Sequence, residues 1–262
     1  MILRDGRGLA QVVVNEAALL EQVAALEPES VLRIQGEVLG TPQAPGGVEI
    51  RASHIEVVSE AVEPPPFELH RPQIPAQLPT ILDHAAVGLR HPRQRALFRL
   101  AAASVEGFRR ALRAEHFVEI FTPKLVATAT EGGANVFGVD YFGRQAYLAQ
   151  SPQFYKQIMV GVFERVFEVG PVFRAEPHDT PRHLNQYCSL DAELGFIDDH
   201  TTVMGVLEGV IGGMLACLEQ DAPAELTLVG CERPAVPTRL PVVDFLEAQT
   251  LIQAATGEQV LG

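Results

Sequence analysis

The chain has 262 residues, 47% hydrophobic and 20% charged, with a formal net charge of −13. That is ordinary globular composition, enough for one large core or two modest ones, and it excludes a disordered chain; the acidity argues against general polyanion binding but leaves room for a local basic groove. Cys188, Cys217 and Cys231 are too few and too scattered for a disulfide framework or a Cys-rich zinc site, and no signal peptide or run of about eighteen apolar residues is visible, so a cytoplasmic protein without a membrane span is expected.

Residues 1–62 hold short β-type runs, "GLAQVVV", "VLRIQGEV" and "VEIRASHIEVV", separated by turn signals such as "TPQAPGG", which predicts a small β-barrel. Residues 63–79, "EPPPFELHRPQIPAQLP", contain six prolines and no apolar period, and read as an extended linker. A second domain should occupy residues 80–262. In it, Leu97, Leu100, Ala101, Val105, Phe108 and Leu112 recur every three or four positions and predict a helix from Pro92 to about His116. Met204, Leu207, Val210, Ile211, Met214, Leu215 and Leu218 predict another. Strand-rich sequence lies between them, so the chain as a whole reads as α+β.

The chemistry concentrates in "VFEVGPVFRAE" and "YCSLDAELGF", the two arms of a hairpin. Read with period two, Phe167, Val169, Phe173 and Ala175 form one face of the first arm, and Glu168, Arg174 and Glu176 the other. On the return arm Cys188, Leu190, Ala192, Leu194 and Phe196 form the buried face, and Tyr187, Ser189, Asp191 and Glu193 the polar one. The connecting loop adds His178, Asp179, Arg182 and His183. A charged sheet face is usually just solvated; here a basic loop flanks it, and guanidinium forks of that kind can hold a nucleotide phosphate. No glycine-rich phosphate loop is present, which excludes Walker and Rossmann modes.

"FRAE", "RHLN" and "LDAELGF" together resemble motif 2 of the class II aminoacyl-tRNA synthetases, in their archaeal-type aspartyl branch. "GFRRALRAEHFVEIFTPKL" is similar to the motif 1 helix and strand with its proline, Pro123, and "EGGANVFGVDYFGRQAYLAQSPQFYKQ" continues in the same register. The resemblance implies a class II antiparallel sheet flanked by helices after a partial OB-fold, and an enzyme that activates aspartate with ATP and Mg2+ before transferring it to tRNA.

Residue by residue, it implies that Arg174 bridges the ATP α-phosphate and the amino-acid carboxylate, and that Glu176 lies near the adenine or its ribose. Arg182 and His183 would reach the triphosphate, Leu184 joins the ATP set, and Tyr187 stacks on adenine. Gln186 stands where relatives usually have Glu, which puts one adenine contact in doubt. Glu131 would receive the substrate ammonium, with Gly132 and Gly133 in a mobile flap, while Gln150, Ser151, Gln153 and Lys156 line the amino-acid pocket. Lys156 favours aspartate over asparagine, because a buried lysine facing a neutral amide lacks a counter-charge, at a cost of about 3–5 kcal/mol. In the barrel, Gln11 matches a glutamine that contacts an anticodon base, and Pro45 resembles the form that accepts tRNA-Asn as well as tRNA-Asp. Motif 1 implies a homodimer.

The resemblance also implies that both ends are incomplete: the first barrel strand lies before Met1, and the magnesium-binding acid and motif 3 lie beyond Gly262. "GCERP", residues 230–234, is a chance likeness to motif 3. Poor solubility and negligible ATP–pyrophosphate exchange are then expected of this chain alone. Two further readings stay open, an asparaginyl or asparagine-forming relative and a non-catalytic paralogue that binds tRNA or a partner.

Overall fold

The computed structural model describes residues 1–129, 135–178, 180, 183–232 and 239–257. The chain divides into two compact units, Met1–His91 and Pro92 onward.

The first unit contains β1 (Ile2–Arg4), β2 (Leu9–Val13), α1 (Ala17–Ala24), β3 (Val31–Gly40) and β4 (Val48–Ser59). The strands form one sheet in the order β1-β2-β4-β3, with β2 and β4 parallel and the other pairs antiparallel. Val12, Ala52 and Ile55 form its core, with Leu19 and Val23 of α1 packed against them. The sequence reading has no counterpart to α1, although Leu19 and Val23 are spaced i, i+4 and so share one helix face. A register shift on β3 falls between Gln35 and Gly36, where a side chain would begin 2.2 Å from the Arg51 carbonyl oxygen; only glycine fits this bulge.

Past β4 no strand or helix occurs before α2 (Leu78–Asp83), which is followed by α3 (Ala85–Gly88). The proline-rich stretch is nevertheless packed, with Phe67 and Leu69 buried and the buried His91 ring bonded to the Arg71 carbonyl at 2.8 Å. Glu29, left-handed at φ 74°, pairs with both Arg4 and Arg90. Burial alone would raise its carboxyl pKa, but the hydrogen bonds and charges of Arg4 and Arg90 outweigh burial and hold it below its ordinary 4.5. A lowered carboxylate stabilises the fold fully above its unfolded pKa, and that stability is lost as pH falls through the folded one. Urea denaturation of Glu29→Gln should therefore show reduced stability at neutral pH and a shallower loss on acidification below pH 4.5 than the parent.

The second unit opens with α4 (Pro92–Ala114), followed by β5 (Val118–Glu119), β6 (Leu125–Val126), β7 (Gly138–Tyr141), β8 (Arg144–Leu148), α5 (Gln153–Phe163), β9 (Arg165–Phe173) and β10 (Gln186–Leu194). After these come α6 (His200–Asp221), α7 (Pro223–Val229) and α8 (Phe245–Thr256). One sheet has the order β10-β9-β5, antiparallel then parallel, and a smaller one β6-β8-β7 is antiparallel throughout. Phe108 and Leu112 of α4, Phe117, Phe167 of β9, and Val206 and Val210 of α6 form the core. The unit is thus α+β, as expected.

Both predicted long helices exist, and Phe108, Leu112 and Val210 of the predicted stripes are buried, but the rest of each buried face departs from them. In α4, Ala96, Ala103 and Gly107 are buried while Leu97 is 49% exposed; in α6, Val206 and Cys217 are buried while Leu207 is exposed. Small residues face inward because α4 and α6 touch nearly backbone to backbone: a side chain on Gly107 would start 2.6 Å from the Met214 Cα and 2.7 Å from the Gly213 carbonyl oxygen. Backbone cannot yield as a side chain can. Gly107→Val should cost about 3 kcal/mol, the upper end for overpacking, measured by chemical denaturation. By length and composition α6 could cross a membrane, yet Val206 and Val210 seat it in this core, as a helix of a folded domain.

The hairpin alternation holds only in part. Leu190, Ala192 and Leu194 pack on the core, but Cys188 is exposed, paired with the exposed Pro171 beyond the last core contacts. Phe196 is 91% exposed, because it follows β10 in a left-handed conformation at φ 57° that ends the alternation. Glu168, expected on a charged open face, is buried.

Candidate functional site

Three backbone segments are stitched side by side. The Ala149 N–H donates to the Lys124 carbonyl and the Phe173 N–H donates to the Ala149 carbonyl, each at 2.9 Å. This brings Gln150 and Ser151, both buried, beside the end of β9, where Arg174 follows. The Arg174 N–H donates to the Asn185 carbonyl at 2.9 Å, so the hairpin pairing continues past both strands. Arg174 and Glu176 are half-buried.

Ser151 precedes α5, and its hydroxyl accepts from the Gln153 N–H at 3.2 Å, satisfying one of the helix's first donors. One turn on, Lys156 is buried, with its Nζ 3.2 Å from Asp191 and 3.5 Å from Glu193 of β10. Gln153 donates to the same Glu193 carboxylate at 3.4 Å. Asp191 and Glu193 are absent from the predicted pocket, although their alternation with Leu190 and Ala192 marks a polar face. They also change the specificity reading. Lys156 already has two counter-charges, so its burial does not by itself require a second carboxylate on the substrate.

Across the hairpin, Asp191 stands directly opposite Glu168. Glu168 accepts from the Thr122 N–H at 2.9 Å and the Thr122 hydroxyl at 2.7 Å, and pairs with Lys124 at 3.0 Å. Directly opposite residues share a face of the sheet, so two acid–lysine pairs, Glu168–Lys124 and Asp191–Lys156, lie side by side.

Of the loop residues, His183 is exposed, its Nδ1 2.7 Å from the Thr180 hydroxyl and its ring 5.3 Å from that of His178. Leu184 is 57% exposed, and Tyr187 is half-buried on β10 opposite Val172. Gln186 is exposed opposite Phe173. Glu131, Gly132, Gly133, Asp179 and Arg182 lie outside the described residues. Among the described residues no group of three or more His, Cys, Asp or Glu side chains is arranged to hold a metal. None of these residues lines the cavity of about 540 Å3 bordered by Pro66, Phe67 and Ile74 or the one of about 510 Å3 bordered by His116, Glu164 and Arg165.

In the first unit, the Gln11 amide donates to Glu49 at 3.3 Å from the neighbouring strand, which orients a side chain the sequence singled out by way of one it did not. Pro45 is exposed and opens a single 3-10 turn, Pro45–Gly47.

Comparison with known proteins agrees with this layout. Residues 1–58 match the family described as OB-fold nucleic acid binding domain, and residues 77–258 match the tRNA synthetases class II (D, K and N). The chain is 45% identical to the aspartate–tRNA(Asp/Asn) ligase of Thermus thermophilus, over 99% of this chain and 60% of that protein. With the ligase of the same name from Aeropyrum pernix the identity is 42%, over 99% and 60%. Among solved structures, the asparaginyl-tRNA synthetase of Pyrococcus horikoshii complexed with asparaginyl-adenylate matches at 29% identity and a TM-score of 0.85, covering 97% of this chain and 59% of that one. A putative aspartyl-tRNA synthetase from Leishmania major matches at 30% identity and 0.78, covering 90% and 49%. The chain thus spans about 60% of the length of these curated relatives. With the predicted helices and hairpin in place and more than half the chain matched, it belongs to the class II tRNA synthetases of the D, K and N group.

Proposed function

We propose that this chain carries the amino-acid-activating and anticodon-reading parts of an aspartate–tRNA ligase. The observation that carries the reading is the stitched arrangement of Gln150, Ser151 and Arg174, with buried Lys156 on the same unit, in a chain whose curated relatives are named for aspartate. The substrate carboxylate attacks the α-phosphorus of ATP and pyrophosphate leaves; the aspartyl group then passes to the terminal adenosine of tRNA.

Arg174 bridges the α-phosphate and the reacting carboxylate, Glu176 and Tyr187 hold the nucleoside, and Arg182, His183 and Leu184 border the triphosphate. Gln150, Ser151, Gln153 and Lys156 form the amino-acid pocket, and Glu131, next to the Gly132–Gly133 flap, receives the substrate ammonium. Lys156 exchanges part of its pairing with Asp191 and Glu193 for the substrate side-chain carboxylate. Magnesium would neutralise phosphate charge when bound; the described residues do not assemble a site for it. Gln11, oriented by Glu49, contacts the anticodon. The exposed Phe98, before the motif 1 segment, and Phe121, within it, support a homodimer, and a translation enzyme of this kind works in the cytoplasm.

Asparagine is the second reading, favoured by the resemblance to the Pyrococcus asparaginyl enzyme and by the internal counter-charges of Lys156. Pyrophosphate exchange into ATP on the full-length gene product, run with each amino acid, separates them. We expect exchange with aspartate and charging of both tRNA-Asp and tRNA-Asn. Exchange with asparagine alone would select the second reading, and no exchange with either would leave a non-catalytic paralogue.

A further inference from the structure

We infer that Glu168 is a positioning residue that ties the segment around Pro123 to both halves of the site. The inference rests on the reading above. Glu168 is 3% exposed, and among the described residues its carboxylate is partnered by Thr122 and Lys124, 46 and 44 residues away in the chain. A buried carboxylate is costly unless donors surround it, so these contacts confine residues 122–124 to one place over β9.

Two routes lead from there to the pocket. Lys124 contributes its side chain to Glu168 and its carbonyl to the Ala149 N–H, and the Ala149 carbonyl receives the Phe173 N–H. The positions of Gln150, Ser151 and Arg174 follow from those two bonds. The second route crosses the hairpin: Glu168 faces Asp191, the partner of Lys156. Two neighbouring carboxylates tolerate each other only while each keeps its lysine, so drawing Lys124 onto Glu168 leaves Lys156 to Asp191.

Amide hydrogen exchange and ATP affinity, measured on the protein, test the idea. Glu168→Gln keeps the size and an acceptor but loses the charge that holds Lys124. It should lower protection at least tenfold in peptides covering residues 121–126, 147–151 and 172–175, weaken ATP binding about tenfold, and leave the α4–α6 peptides as in the parent. Thr122→Val, which removes one hydroxyl donor and leaves the Glu168–Lys124 pair, should show a smaller change with the same pattern, and serves if Glu168→Gln does not fold. Loss confined to residues 121–126, or spread evenly over the whole unit, would overturn the inference. If the parent binds no ATP, the functional reading fails while the exchange pattern still decides the role of Glu168.

Discussion

Arg174→Ala in the full-length gene product should lower aspartate-dependent pyrophosphate exchange by about 10²–10³, the usual effect of one preorganised electrostatic group aimed at developing charge. The proposed reaction forms no covalent bond to the protein, so positioning and charge neutralisation at the α-phosphate are what the site would have to supply. Arg174 directly follows β9, its backbone paired with Asn185 and its chain neighbour Phe173 bonded to Ala149, so the backbone that carries the guanidinium is held on both sides. Arg174→Lys keeps the charge but loses the two-pronged fork, and should remain at least tenfold below the parent. Exchange by Arg174→Ala within threefold of the parent would remove Arg174 from the reacting centre. Unchanged melting of both variants would exclude unfolding as the cause of a loss.

Lys156→Met should act on stability and on substrate use at once, and the two can be separated. Its side chain is 7% exposed, against 17% for Asp191 and 29% for Glu193. Removing the lysine leaves two carboxylates on one face with no cation between them. Fully buried pairs lose about 3–5 kcal/mol when one partner goes; the partial exposure of these acids brings the expected loss to about 2 kcal/mol. The companion Lys156→Met/Asp191→Asn removes the repulsion and should recover most of that stability. If Lys156 also meets the substrate carboxylate, the double variant stays defective, with KM for aspartate raised at least tenfold. Recovery of aspartate use along with stability would confine Lys156 to a structural role. Lys156→Glu is a poorer probe, because it would bring three carboxylates together and unfold the pocket whether or not Lys156 binds substrate.

The helices α4 and α6, the hairpin of β9 and β10 and the order of the motifs were all legible in the amino-acid sequence. A 3.6-residue period, a two-residue period and a run of matching short segments are properties of neighbouring residues, and they survive without knowledge of what packs on them. The buried sides were legible only in part, through Phe108, Leu112 and Val210. Ala103 turns inward because α6 approaches one turn further on, where Gly107 meets Gly213, more than a hundred residues later in the chain. Glu168 is buried because β5 runs parallel to β9 and carries Thr122 and Lys124 in behind it. The counter-charges of Lys156 likewise come from β10, with Asp191 35 residues away. Charge and period tell which residues can be paired or buried; which of them are depends on the partner that tertiary structure delivers, since burying an ion is tolerable only where an opposite charge or donor already waits.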